Sequence, residues 1–274
     1  MQPILEQMMQ RTKTTFLSEH CEVEGHEKYQ LMKLSNGTVL CPRCETERKN
    51  EAIEKKNEDL FERLENRLRH AYLKDKSLVS DKPLWDAGFK NYVAEEEEVV
   101  KNKRYINILV KRYLSGEVFN TWLMGDPGVG KSHLSMATIK NINEYGAKDK
   151  KCLYISVAAM LRKIKSSYGN KESIYTEDYF IELMGEVDFL VLDDIGSESG
   201  SIGTDKKATD FVHRVLYEIG DMRQGKSTII TTNASWEELE GLYDKKIISR
   251  LRSKIELIKF TNTTDKRIGG CLNE

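Results

Sequence analysis

Five short, nearly unbroken apolar runs, at about 118–124, 151–157, 187–193, 226–232 and 254–260, alternate with stretches whose apolar residues recur at helical spacing. Runs without polar alternation read as strands buried on both faces. Their alternation with helices predicts an α/β domain: a five-stranded parallel sheet covered on both sides, with any ligand outside the carboxyl ends of the strands. The N-terminal part has a different pattern. From Glu45 to about Leu73 the chain is highly charged, with Ile53, Leu60, Leu64, Leu68 and Tyr72 on one face, which predicts one long helix. That stripe is expected to pack on its own domain rather than on a partner. Ahead of it, Lys28 to Leu40 reads as a hairpin turning at Asn36-Gly37. Between Lys74 and Lys82 periodicity is lost, and Ser77, Ser80 and Pro83 mark a linker. The expected organisation is a small α+β domain over 1–75, a linker over 76–84 and the α/β domain over 85–274.

The first candidate chemistry lies at the end of the first apolar run. Gly125-Asp126-Pro127-Gly128-Val129-Gly130-Lys131-Ser132 satisfies GxxxxGK[ST], with a strand before it and a helix from His133 to Asn143 after it. Glycines at those positions let backbone N–H groups curl around a phosphate, and the helix points its positive end at the same anion. Lys131 is expected to reach the β- and γ-oxygens of ATP, and Ser132 to ligate Mg²⁺.

The later strands end in polar residues suited to the same substrate. Asp193, closing Val187-Asp188-Phe189-Leu190-Val191-Leu192-Asp193-Asp194, is a candidate for the Mg²⁺ shell. Asp194 is a candidate to orient or deprotonate the attacking water, though with a carboxylate one methylene shorter than the glutamate common at this position. Asn233, after Ser227-Thr228-Ile229-Ile230-Thr231-Thr232, is placed to bond the γ-phosphate or the water. Arg250 reads equally as a plain surface arginine or as a finger projecting into a neighbouring subunit's nucleotide.

Cysteine usage adds a metal site. Cys21-x4-His26 and Cys41-Pro42-Arg43-Cys44 form two ligand pairs that the hairpin brings back together, and three thiolates with one imidazole suit a closed, structural Zn²⁺ site. His20 adjoins Cys21 and is an alternative to His26. Five cysteines, an odd number, and no signal peptide speak for a reducing cytosol rather than a disulfide framework. A module of about 80 residues has little core of its own, so metal binding is expected to supply much of its folding free energy.

Composition excludes more than it adds. The 274 residues are 39% hydrophobic, with no apolar run approaching ~20, so neither a membrane span nor secretion is expected, and the reading is a cytoplasmic protein. A net charge of −1 argues against a protein that coats DNA through bulk electrostatics, so any nucleic-acid contact must be local.

Taken together, the phosphate loop, LVLDDIG, STIITTN, the SRL turn and Thr264-Asp265-Lys266-Arg267 resemble the AAA+ ATPases of the DnaC/DnaI type, the bacterial and phage replicative helicase loaders. The resemblance covers roughly residues 85 to 270, and the same core is found in IstB-type transposition helpers. It implies a P-loop AAA+ fold without a C-terminal lid, Asn233 as the first sensor residue, Arg250 as a trans-acting finger and Arg267 as the second sensor. It also implies slow ATP hydrolysis stimulated by assembly or single-stranded DNA, a hexameric replicative helicase as partner, and homo-oligomers. DnaI-type loaders carry a zinc-stabilised N-terminal domain that contacts the helicase, which favours the loader over the transposition helper. An adaptor that binds ATP, barely hydrolyses it and sequesters a helicase is the remaining alternative, kept open by Asp194.

Three further features have readings of their own. In the family, the region of Met160 to Tyr168 lies toward a central pore; Lys163 and Lys165 then meet phosphates and Tyr168 stacks on a base, while the competing account is a solvated basic helix. Glu95-Glu96-Glu97-Glu98 is expected to start a helix ending near Ser115, where carboxylates favour the positive end. Phe89 and Tyr92 either border the adenine or belong to the core, and the core is preferred.

Overall fold

All five apolar runs become strands of one sheet, because residues alternating to opposite faces of a parallel strand meet helices on both sides. The computed structural model describes residues 14–147, 150–170, 172–199 and 208–267 and divides into two compact units between Glu65 and Asn66.

In the first unit, β1 (Thr15–His20) pairs antiparallel with β2 (Gln30–Lys33), and β2 with β3 (Val39–Leu40). The turn falls at Asn36-Gly37: Gly37 adopts φ 87°, a conformation that residues with a Cβ rarely take, and Thr38 N–H donates to Asn36 Oδ1 at 3.0 Å. Strand β1 had no signal in the sequence, since it is almost wholly exposed and carries no apolar alternation. Helix α1 (Pro42–Lys76) begins directly after Cys41 with proline in its first turn, where the missing N–H costs nothing. Its residues to Glu65 fall in the first unit and those from Asn66 in the second.

The apolar stripe of α1 is a correction to the sequence reading. Ile53, Leu60, Leu64 and Leu68 are 56%, 55%, 47% and 70% exposed, so they do not pack on their own domain; of the named stripe, Tyr72 alone packs against core. The short sheet of the first unit offers too few large apolar side chains to cover them.

The second unit is built on the parallel sheet β5-β6-β7-β4-β8. Its strands are β4 (Asn120–Gly125), β5 (Cys152–Ser156), β6 (Phe189–Ile195), β7 (Ser227–Thr232) and β8 (Ile255–Phe260). The helices are α2 (Glu97–Leu114), α3 (Lys131–Tyr145), α4 (Val157–Ser167), α5 (Glu177–Glu186), α6 (Asp210–Met222), α7 (Trp236–Leu242) and α8 (Lys245–Leu251). Trp122 joins the core formed with α4 to α8, whereas its neighbour Leu123 joins the one formed with α2 and α3. Both side chains are fully buried, and Trp122 Nε1 donates to Leu251 O at 3.0 Å. Truncating such a residue to alanine costs about 3–5 kcal/mol.

The segment expected as a linker is ordered where it meets the sheet. Leu78 forms a parallel bridge to Ile155: its N–H donates to Tyr154 O and its carbonyl accepts from Ser156 N–H, both at 2.8 Å. It thereby satisfies part of the outer edge of β5. After β8, the described residues 261–267 form no further helix.

Candidate functional site

The loop between β4 and α3 carries the phosphate-loop motif, and its glycines are there for space as well as for conformation. Gly128 has φ 83°, and a Cβ on it would lie 1.8 Å from Asp265 Oδ1; Gly130 has φ 94° and abuts the Tyr92 ring. Lys131, only 7% exposed, donates from Nζ to Gly125 O, Asp126 O and Asn233 Oδ1, each at 2.7 Å. Burial pulls its ammonium down to about 8, against the opposing pull of the Asp194, Asp193 and Asp126 carboxylates.

Opposite Lys131, β6 ends in a bulge. Its register with β7 shifts between Leu192 and Ile195, and Asp194 is left at φ 63°, a left-handed conformation that costs an L side chain about 1 kcal/mol or more. Asp193 is buried and accepts from the Thr231 hydroxyl at 2.7 Å. Burial pushes its pKa above the usual carboxylate value, while the Thr231, Ser132 and Tyr154 hydroxyls act to lower it. The Thr231 oxygen also accepts from Asp194 N–H at 2.8 Å. Asn233 completes the set: its Nδ2 donates to Asp194 Oδ1 at 2.9 Å while its Oδ1 holds Lys131.

Lys131, Ser132, His133, Asp193, Asp194, Asn233 and Arg267 therefore line one cleft of about 480 Å³. A carboxylate pair and a serine hydroxyl beside a lysine are hard oxygen donors of the type that hold Mg²⁺ against phosphate. Sequence reasoning missed several participants. Thr231 looked like one polar residue in a strand, and the cleft wall at Ser80, Asp81, Leu84, Asp86 and Asn91 lies in a stretch with no motif. Tyr92 is buried in core, as preferred, with its hydroxyl donating to Val129 O at 3.4 Å, and Phe89 is packed against the same core. His133 is held outside the phosphate loop proper, its Nε2 2.9 Å from Gly88 O.

Two groups of expected residues stand apart from the cleft. Arg250, on α8, lies over the Tyr217 ring at 4.1 Å, donates to Tyr217 Oη at 2.7 Å and pairs with Asp221 at 3.1 Å, so it does not line the nucleotide cleft of its own chain. The basic residues of α4 are likewise engaged: Lys163 Nζ sits 3.9 Å from the Tyr175 ring centroid and Lys165 Nζ 5.5 Å from that of Phe211. Tyr168 is exposed, with its hydroxyl donating to Glu177 at 2.7 Å.

The Cys/His cluster belongs to the first unit. One ligand atom from each of Cys21, His26, Cys41 and Cys44 lies within 4.8 Å of all the others. The Sγ atoms of Cys21 and Cys44 are 3.6 Å apart, and His26 Nδ1 is 3.1 Å from Cys44 Sγ. Burial and the neighbouring sulfurs of Cys21 and Cys41 push the Cys44 thiol up to about 12. His26 Nε2 is 3.2 Å from Glu47, which itself accepts from Arg43 Nε at 2.9 Å. A carboxylate on the far nitrogen fixes the ring so that the near one faces the sulfurs, an outer partner that ligating histidines commonly have. The donor set fits a tetrahedral soft-metal site. His26, not His20, belongs to it; His20 is exposed at the end of β1.

Among the described residues no helix is long and apolar enough to cross a membrane. The replicative helicase loader DnaC of Escherichia coli K12 is 27% identical over 169 residues, 61% of this chain and 63% of that protein. The chain thus spans less than two thirds of the length of these curated relatives. Among solved structures, the DnaC helicase loader superposes with a TM-score of 0.54 at 24% identity, covering 66% of this chain and all of the other. DnaI superposes with 0.53 at 22% identity, over 68% of this chain and 96% of that one. At such identities the likeness establishes the fold alone, a parallel α/β sheet with a phosphate loop, as the sequence implied. The family model for IstB-like ATP binding proteins matches residues 56–256, well over half of the chain and including every residue of the phosphate loop, and the chain belongs to that family.

Proposed function

We propose that the chain is an ATP-dependent loader that binds a replicative hexameric helicase and deposits it on single-stranded DNA. The observation that carries the reading is the convergence of Lys131, Asp194 and Asn233 from three strand ends, in a chain that also holds a Cys/His cluster ahead of the ATPase core. Similarity to a protein named replicative helicase loader favours this reading over other uses of the fold.

In this account the loop from Gly125 to His133 cradles ATP, and Ser132 and Asp193 would hold Mg²⁺, which neutralises charge on the phosphate oxygens. Lys131 exchanges its present carbonyl partners for the β- and γ-oxygens. Asp194 takes the proton of the attacking water or orients it, and Asn233 holds Asp194 and the reacting oxygens in register. Arg267 faces the γ-phosphate. Arg250 leaves Tyr217 and Asp221 to complete the cleft of the next copy in a homo-oligomer, so hydrolysis is slow until copies assemble.

Residues 1–75 form the helicase-contacting module, with Cys21, His26, Cys41 and Cys44 holding Zn²⁺ and the exposed stripe of α1 available to the partner. Residues 76–84 connect it to the ATPase domain at 85–274. Single-stranded DNA meets Lys163, Lys165 and Tyr168, which exchange intramolecular ring contacts for phosphates and a base. The protein works in the cytoplasm.

Capture of a purified hexameric replicative helicase, with and without ATP, is the test; absence of binding in both conditions overturns the loader. The family match to IstB-like proteins keeps a transposition helper as the second reading, identified by capture of a transposase and duplex DNA instead. An adaptor with little hydrolysis is identified by equal, near-zero turnover in the parent chain and in Arg250→Ala.

A further inference from the structure

The acidic run begins α2 as expected, with Glu96 at the N-cap and Glu97 and Glu98 in the first turn, but Glu96 makes no side-chain cap. Glu96 and Glu98 reach across to the segment that follows β8. Glu98 accepts from Thr261 N–H at 2.9 and 3.1 Å, from the Thr261 hydroxyl at 2.7 Å, from Asn262 N–H at 3.0 Å and from the Thr263 hydroxyl at 2.5 Å. Glu96 accepts from Thr264 N–H at 3.2 and 3.3 Å and from the Thr264 hydroxyl. A stretch that belongs to no strand or helix thus has consecutive donors satisfied by two carboxylates.

What this clasp holds is the wall of the nucleotide cleft. Directly after it, Lys266 N–H donates to Gly128 O of the phosphate loop at 3.2 Å, and the Lys266 ammonium bonds Val93 O and lies 4.3 Å from the Tyr92 ring centroid. The Asp265 carboxylate fills the space beside the Gly128 Cα and accepts from Arg267 N–H at 2.9 Å. Arg267 itself is largely exposed and lines the cleft with Lys131 and Asp194. An exposed arginine at the end of irregular chain brings useful charge to a phosphate only when its backbone is already placed; otherwise ordering that chain is subtracted from binding.

We propose that Glu98, assisted by Glu96, is a positioning residue for the nucleotide site, holding segment 261–267 so that Arg267 meets the γ-phosphate. The proposal rests on the ATP reading above. Specificity for the triphosphate over the diphosphate then depends on the first turn of α2, which does not itself line the cleft.

The test compares ATP and ADP binding by the full chain in its parent form, in Glu98→Ala, Arg267→Ala and their combination, and in Thr263→Val. Glu98→Ala is expected to weaken ATP roughly tenfold, the scale of one charge-assisted contact, and ADP by less than about twofold. Arg267→Ala should match it, and the combined variant should be no weaker than Arg267→Ala, because both act through one contact. Thr263→Val removes one donor without touching the acid and shifts ATP in the same direction, which carries the test if Glu98→Ala does not fold. Unchanged ATP affinity, equal weakening of ATP and ADP, or additive effects in the combined variant overturn the positioning role while leaving the ATP reading intact. A parent chain that binds neither nucleotide overturns that reading and the proposal with it.

Discussion

Asn233 Oδ1 accepts from Lys131 Nζ at 2.7 Å, although the two residues are 102 positions apart, one opening α3 and the other following β7. The other end of the same carboxamide donates to Asp194, so one neutral side chain spaces a cation from an anion that would otherwise collapse onto each other. Asp194→Asn keeps the size and removes the carboxylate proposed to act on the attacking water. Phosphate release is expected to fall by ~10²–10⁴ while ATP affinity changes little, the signature of a group used in the reaction rather than in binding. Steady-state turnover beside equilibrium nucleotide binding checks it; comparable loss in both reassigns Asp194 to binding.

Thr231 supports the buried Asp193 with its hydroxyl at 2.7 Å. Thr231→Val keeps the shape and removes the donor, which is expected to cost about 1.5–3 kcal/mol, the range for a hydrogen bond to a charged group. Urea unfolding measures it. Adding Asp193→Asn should recover part of the loss, since the unsupported charge is then gone.

Metal analysis of purified protein is expected to find one zinc per chain. His26→Ala should lower this content and His20→Ala should not, because the ligand-distance cluster contains the former alone. Chelation should unfold the first unit and leave nucleotide binding by the second in place, as measured by circular dichroism and ATP titration. Full zinc occupancy in His26→Ala would reject the assignment.

The stripe on α1 is open to solvent at Ile53, Leu60 and Leu68. Changing any of them to serine is expected to shift unfolding free energy by no more than about 0.5 kcal/mol, as for surface positions generally. Helicase capture should nevertheless weaken. A large stability loss would mean that the stripe packs within the folded protein.

The Glu98 carboxyl is held at about 2, below its ordinary 4.5: burial works to raise it, but the Thr261 and Thr263 hydroxyls and the Thr261 and Asn262 amides outweigh that. A folded value below the unfolded one means the unfolded chain binds the proton more readily. The clasp's contribution is therefore complete above pH 4.5 and lost as pH falls toward 2. Urea midpoints from pH 6 to 2 should converge for the parent and Glu98→Gln at the acid end. A gap that persists unchanged at pH 2 contradicts the ionic clasp.

The residues at 125–132 were legible as a phosphate loop because glycine spacing, a preceding strand and a following helix are all local facts, and local propensity decides them. The five strands were legible for a similar reason: burial on both faces leaves an unbroken apolar run. The Cys/His pairs could be grouped because the intervening Asn36-Gly37 turn is itself encoded locally.

Tertiary structure alone decided the rest. That Asn233 would join Lys131 to Asp194, that Thr231 would support Asp193, that His26 rather than His20 would face the sulfurs, and that an acidic helix start would hold the segment carrying Arg267 all depend on strand order and bulge placement. The α1 stripe shows the converse: its spacing specified a helix face, but whether that face is covered depends on how much apolar surface the rest of the fold has to offer. Periodicity is a property of neighbouring residues and can be read along the chain. Hydrogen-bond partners and burial depend on residues far apart in sequence, and only packing brings them together.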